Sequence, residues 1–231
     1  LPEKVLLPVG KFGQPLISYM IERLKHHLSF PIVVAVPDNS KNDPLYSTLK
    51  KLEIECFRGP ENDVLKRYYD CAKHYKFKTI IRLTSDCPLV DPLLVKDMLA
   101  AFSIGGLDYL GNTTPPEESY FPDGSDVEIF TTDALAHANK TETDARLREH
   151  VTFQFWDKND AYRSRTYPGQ TDNSDLRYTV DNIEDYHVVS DIVAALGDDG
   201  SDFRADHIVT FLRANPKIVM KNSQYKPGDN W

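Results

Sequence analysis

Pro31-Ile32-Val33-Val34-Ala35-Val36-Pro37-Asp38-Asn39 sets the architecture of this chain. The unbroken apolar, mostly β-branched run Ile32 to Val36 predicts a strand buried on both faces, and Pro37, Asp38 and Asn39 end it. Before it, Leu16, Ile17, Met20, Ile21, Leu24 and Leu28 recur three and four apart and paint one face of a helix over 15–28. After it the alternation repeats, with a helix over 44–52, a strand over 54–57, a helix over 62–75 and a strand over 79–83. Asp91 then caps, and Pro92 begins, a helix to about Phe102. Alternating strands and helices with short connections predict βαβ crossovers, hence an α/β fold with a mostly parallel central sheet and helices on both faces.

The second half reads less regularly. Strands are expected over 107–110 and 126–130, a helix over 131–139, and an amphipathic helix over 148–156 with Val151, Phe155 and the Trp156 ring inward. Phe153 and Phe155 in that helix leave room for an exposed apolar patch. Strands over 162–167 and 176–180 and helices over 183–196 and 204–212 follow. The irregular stretch 112–123, with Pro115, Pro116 and Pro122, is the candidate for a loop that covers the substrate.

With 231 residues the chain is long enough for one substantial core, and hydrophobic residues at 41% and charged residues at 27% are globular values. No run of eighteen apolar residues occurs, so a membrane span is disfavoured. The net charge of −8 makes the chain a poor partner for nucleic acid, although a small anion can still bind at a local basic cluster. Cys56, Cys71 and Cys87 are odd in number and lack CxxC spacing, which argues against a disulfide framework or a zinc site. A reducing, cytoplasmic setting is the expectation.

In open α/β sheets ligands collect beyond the carboxyl ends of strands. Asp86 follows the 79–83 strand and Asp181 follows the 176–180 strand, so both emerge at one rim if the strands run parallel. Two carboxylates converging there are oxygen ligands of the kind Mg²⁺ takes, together with substrate phosphates. The alternative is that each is a helix cap, Asp181 before the 183–196 helix. Lys4, Arg58, Arg67, Arg82, Arg148 and Arg177 fall near strand ends or helix starts, where an anion such as a triphosphate needs neutralising; singly, each also reads as a solvated charge. His150, in Arg148-Glu149-His150, reads equally as a core imidazole or a site residue. No GxSxG, GxGxxG or GxxxxGK[ST] occurs, and Cys87 has the anionic neighbour Asp86, so covalent catalysis and the common nucleotide-binding loops are disfavoured.

Six ordered motifs carry a likeness: Leu1-Pro2-Glu3-Lys4-Val5-Leu6-Leu7-Pro8; Phe57-Arg58-Gly59-Pro60-Glu61-Asn62-Asp63-Val64-Leu65-Lys66-Arg67-Tyr68; Thr84-Ser85-Asp86-Cys87-Pro88-Leu89-Val90-Asp91-Pro92; Phe121-Pro122-Asp123-Gly124-Ser125-Asp126-Val127-Glu128; Arg148-Glu149-His150-Val151-Thr152; and Arg177-Tyr178-Thr179-Val180-Asp181. Over nearly the whole chain they resemble the SpsF-type cytidylyltransferases, a group named for a spore-coat polysaccharide biosynthesis protein and similar to the CMP-sugar synthetases that activate sialic acid and related 3-deoxy sugar acids. The resemblance implies a Rossmann-related, GT-A-like nucleotidyltransferase that takes CTP and a sugar acid and releases CMP-sugar and pyrophosphate. It implies Asp86 and Asp181 as ligands of Mg²⁺ and Lys4 as the lysine that closes a phosphate loop. It places Lys4, Arg58, Asp63, Arg67, Arg82 and Ser85 toward the nucleotide, and Asp123, Asp126, Glu128, Arg148, His150 and Arg177 toward the acceptor. A homodimer is the family expectation.

The family carries a strand and a loop rich in Arg, Ser and Gly before its Leu-Pro-x-Lys element, and usually Gly where Glu3 stands. The sequence printed here starts at Leu1, so the expectation is a single nucleotidyltransferase domain over 1–231 without that first strand and phosphate loop. Two other functions fit the same residues: a catalytically silent domain that binds a nucleotide or nucleotide sugar, and a GT-A-like glycosyltransferase that moves a sugar without releasing pyrophosphate.

Overall fold

The computed structural model describes residues 1, 3–157, 160–197 and 203–226; Pro2 of the opening motif lies outside the described residues. After a short antiparallel hairpin of β1 (Pro8–Val9) and β2 (Gln14–Pro15), α1 (Leu16–His27) buries its apolar stripe, as the spacing predicts. Next come β3 (Val33–Pro37), α2 (Asp43–Lys51), β4 (Glu55–Gly59), α3 (Val64–Tyr75), β5 (Thr79–Arg82) and α4 (Pro92–Gly105). The predicted cap is in place, the Asp91 side chain accepting from Leu93 N at 2.8 Å, and Asp63 caps α3 by accepting from Lys66 N at 3.0 Å. The remainder is β6 (Tyr109–Gly111), β7 (Glu128–Thr131), α5 (Thr132–Thr141), α6 (Ala145–His150), α7 (Phe153–Trp156), β8 (Ser164–Thr166), α8 (Ile183–Leu196), α9 (Ala205–Ala214) and α10 (Pro216–Val219).

β3 and β4 pair in parallel, while a four-stranded sheet runs in the order β5-β7-β6-β8. Leu110 and Ile129 pack with α1 and α4, whereas their neighbours Tyr109 and Phe130 pack with α3, α5 and α7. Successive strand residues point to opposite faces, so helices cover both sides and the α/β class stands. The four-stranded sheet is nevertheless mixed: β7 is antiparallel to β5 and β6, and β8 is parallel to β6. Residues 112–127 return from β6 to β7 without a crossover helix, and that connection permits antiparallel pairing.

Two local expectations need correcting. The helix over 148–156 is two short helices, broken where Val151 takes φ 61°, and Phe153 and Phe155 are buried by the turn this creates. The stretch 176–180 is extended but forms only an isolated bridge, Arg177 to Asp123; its backbone bonds go instead to site loops. Among the described residues no helix is long and apolar enough to cross a membrane.

Among the described residues β3 pairs with β4 alone and β5 with β7 alone. Between their free edges lies a cavity of about 610 Å³, lined by Val33, Val34 and Ala35 on one side and Ile80 and Ile81 on the other. These strand residues are half-buried where burial on both faces is expected, because that cavity takes the place of a neighbour.

Candidate active site

Asp86 sits in the turn after β5, and Asp181 follows the extended stretch 176–180. The Asp86 carbonyl accepts from Val180 N at 2.8 Å and from Thr179 Oγ1 at 3.2 Å, so main-chain contacts stitch the two segments together. Both carboxylates converge on one cation, the Lys4 ammonium, which donates to Asp86 Oδ2 at 3.1 Å and Asp181 Oδ1 at 2.8 Å. Burial works against charge on Lys4 and Asp86, but each outweighs it for the other: the lysine pKa ends above, and the Asp86 pKa below, its ordinary value. Neither aspartate is a helix cap. Asp185 takes that duty for α8, its Oδ2 accepting from Asn182 N at 2.9 Å and Asp181 N at 3.1 Å.

Arg177 orients the second carboxylate. Its guanidinium donates to Asp181 Oδ2 at 2.7 Å, to Asp185 Oδ1 at 2.9 Å and to Asp123 Oδ2. Asp185 has no solvent exposure and is also held by Asn222 Nδ2 at 2.9 Å. One cation among three carboxylates has its charge favoured beyond what burial takes away.

Asp123 and Asp126 lie on a turn that only glycine permits: a Cβ on Gly124, at φ 109°, would stand 2.4 Å from Thr179 N. Asp126 accepts from Thr113 Oγ1 at 2.7 Å, Gly124 N at 2.9 Å and the Cys87 thiol at 3.4 Å, while burial raises its pKa. Burial and then Asp126 push Asp123 up to about 7, against the pull of Arg177. Cys87 is pushed up as well, first by burial and then by Asp126 and Asp86, so its thiol stays protonated. Glu128 on β7 accepts from Tyr109 Oη at 2.6 Å and pairs with Arg82. His150 closes α6 with its ring stacked on Phe153 at 4.4 Å, and burial lowers its pKa, which keeps the imidazole neutral near pH 7.

Arg82, Asp86, Asp123, Asp126, Glu128, His150, Arg177 and Asp181 thus line one pocket of about 270 Å³. The remaining residues singled out by sequence stand elsewhere. Arg67 donates to Pro60 O at 2.6 Å and, with Ser85, lines the larger cavity. Arg58 pairs with Asp43 at 2.8 Å and lies over Tyr46. Arg148 donates to Asp63 Oδ2 at 2.8 Å and ties α6 to the start of α3. The 112–123 loop is anchored at its start, with Asn112, Thr113 and Thr114 buried and Thr114 on the pocket wall.

Sequence reasoning passed over Asp185, Cys87, Thr113 and Tyr109. Asp185 had a legible signal, the Asn182-x-x-Asp185 capping pattern, and Cys87 adjoins Asp86 in sequence; Thr113 and Tyr109 reach the site only through the fold, where they bond Asp126 and Glu128. Among the described residues no group of three or more His, Cys, Asp or Glu is arranged to hold a metal. The Asp86–Asp181 pair, already closed on a cation, fits an ion that draws its other ligands from water and phosphate.

The family model described as "Cytidylyltransferase" matches residues 1–203. An uncharacterised protein of Methanocaldococcus jannaschii is 28% identical over 229 residues, covering 98% of this chain and 90% of its own length. The spore coat polysaccharide biosynthesis protein SpsF of Bacillus subtilis is 28% identical over 224 residues, covering 94% and 90%. A solved cytidylyltransferase of Leptospira borgpetersenii superposes with a TM-score of 0.88 at 30% identity, over 96% of this chain and 91% of that one. CMP:2-keto-3-deoxy-manno-octonic acid synthetase complexed with CTP, at 14% identity, a TM-score of 0.61 and 84% and 92% coverage, shares the fold. A match over most of the length, on a chain whose acidic pocket is built from the matched motifs, makes this protein a member of the cytidylyltransferase family.

Proposed function

We propose that this chain transfers CMP from CTP to a hydroxyl of a sugar acid of the nonulosonate or 3-deoxy type, with Mg²⁺ and release of pyrophosphate, in surface-polysaccharide biosynthesis. The observation that carries this reading is the convergence of Asp86 and Asp181 from two chain segments onto one cation. The likeness to SpsF and to the octonic acid synthetase with its CTP supports the pathway class and the nucleotide. In this reading the protein acts in the cytoplasm as a homodimer.

The chemistry is an in-line attack of the acceptor oxygen on the α-phosphorus, with pyrophosphate as the leaving group. Bound at Asp86 and Asp181, Mg²⁺ supplies neutralisation of the charge gathering on phosphate oxygens. Lys4 and Arg82 add positive charge, and Arg58, Asp63, Arg67 and Ser85 belong to the nucleotide side. Arg177, Glu128 and Asp126 shape the acceptor side, His150 gives it a neutral face, and Asp123, titrating near neutrality, accepts the proton of the attacking hydroxyl. Residues 1–231 form one nucleotidyltransferase domain in this reading. The free edges of β3 and β5 support seating a further strand between them, with a phosphate loop leading from it to Leu1.

The test is pyrophosphate release by the full-length polypeptide with Mg²⁺ and each of CTP, UTP, GTP and ATP against a panel of sugar acids. Release specific to CTP and lost in Asp86→Ala is expected. Retained CTP binding without release for any pair overturns the transferase reading in favour of a silent nucleotide-binding domain, and sugar transfer without pyrophosphate marks a glycosyltransferase.

A further inference from the structure

The Lys4 ammonium stands where a cation shared by Asp86 and Asp181 has to stand. Its bonds of 3.1 and 2.8 Å take one oxygen from each carboxylate. The remaining Asp181 oxygen is held by Arg177 at 2.7 Å, and Arg177 is itself locked by buried Asp185. Asp181 therefore offers its one exchangeable oxygen to Lys4. A main-chain bond from Val180 N to Asp86 O at 2.8 Å ties the two segments together independently of the lysine. Removing the ammonium leaves two carboxylates facing each other across the space it filled. Lys4 is only partly buried and rides on a single short turn, Lys4–Leu6, entered from Glu3 at φ 53°. A non-glycine residue in that region costs roughly 1 kcal/mol, which contacts such as these pairs must offset.

Resting on the metal reading of this pair, we infer that Lys4 is an exchangeable counter-ion: it holds Asp86 and Asp181 in the nucleotide-free protein, and a divalent cation must displace it to bind both. One ammonium cannot share its volume with an ion ligated by the same two oxygens. Its departure in the absence of nucleotide breaks two ion pairs and leaves the lysine without a partner. With nucleotide present, the released ammonium meets triphosphate oxygens. Metal and nucleotide then favour each other's binding, and by linkage the effect is equal in both directions. The lysine is thereby a positioning residue for the empty site and a coupling residue for the loaded one.

Binding of Mn²⁺ without nucleotide, followed by the spin resonance of the free ion, tests this on the wild type, Lys4→Met and Asp86→Asn. At least a tenfold tighter affinity in Lys4→Met, lost again in Lys4→Met/Asp86→Asn, is expected. Equal or weaker binding in Lys4→Met, with binding still lost in Asp86→Asn, overturns the exchange while leaving the metal reading in place. No Mn²⁺ bound by any variant, with or without CTP, overturns the metal reading and the exchange together. Reductive methylation of wild-type Lys4 with ¹³C-formaldehyde gives a second measurement that needs no variant at this position. Saturating Mg²⁺ is expected to speed labelling of Lys4 severalfold, and an unchanged rate at saturation overturns the proposal.

Discussion

Two cavities of this protein are built on opposite principles. The larger, between β3 and β5, is walled mostly by apolar side chains and by strand edges that pair with no further strand among the described residues; the smaller is crowded with carboxylates, each matched to a donor or a cation. The first is held open by helices packed above and below it, so its walls give up apolar burial. The second is held shut by charges, so each of its members depends on its partners. Loss of one side chain is therefore cheap in the first and costly in the second.

Five substitutions put that contrast at risk. Arg177→Leu strands Asp123, Asp181 and Asp185 without their shared cation, and a loss of about 3–5 kcal/mol in urea unfolding is expected; a loss under ~1 kcal/mol breaks the claim that the polar pocket is interdependent. Asp86→Asn keeps the fold, yet turnover in pyrophosphate release is expected to fall by roughly a hundredfold or more, equivalent to about 3 kcal/mol. Near-normal turnover would detach the pocket from the chemistry.

Asp123→Asn sharpens the electrostatic half of the comparison. The folded protein holds the Asp123 proton up to about pH 7, whereas the unfolded chain releases it near the ordinary carboxylate value of about 4. Stability from this group is thus fully present at low pH and lost as pH rises through that window. The wild type is expected to lose on the order of 2 kcal/mol between pH 5 and pH 8 that the Asn variant does not lose. Parallel stability curves for the two proteins would refute the shift. The smallest effect concerns one strand with two environments: Val36 is buried and Val34 faces the large cavity. Val36→Ala is expected to cost about 2 kcal/mol and Val34→Ala under about 1 kcal/mol, measured by urea midpoint. Equal costs would mean that the cavity is closed in solution.

Legibility followed the range of the interactions involved. The stripe from Leu16 to Leu28 and the run from Ile32 to Val36 announce α1 and β3 to within a residue or two, because periodicity and β-branching act locally. Asp86 and Asp181 were legible for a related reason, each following a strand-like stretch, 79–83 and 176–180, within a few residues. Leu176 to Val180 has the alternation of a strand, but Tyr178 N donates to Asp123 O and Val180 N to Asp86 O, partners that no local pattern encodes. The break at Val151 is a left-handed valine, which the sequence around it gives no reason to expect. Arg148, read as an acceptor-side residue, pairs with Asp63, and only the packing of α6 on α3 brings those two together.

Cys71 turns the large cavity into something that a reagent can probe. The thiol lies on that cavity's wall at 7% exposure, and burial pushes its pKa up to about 11. At pH 8 it reacts slowly, held back both by its small thiolate fraction and by the access of reagent to the cavity. Anything seated between β3 and β5 shields it, and anything that parts those strands bares it. The rate of alkylation at Cys71, read by mass spectrometry against half-buried Cys56 as an internal reference, reports the fraction of molecules in which the space between the strands stands open.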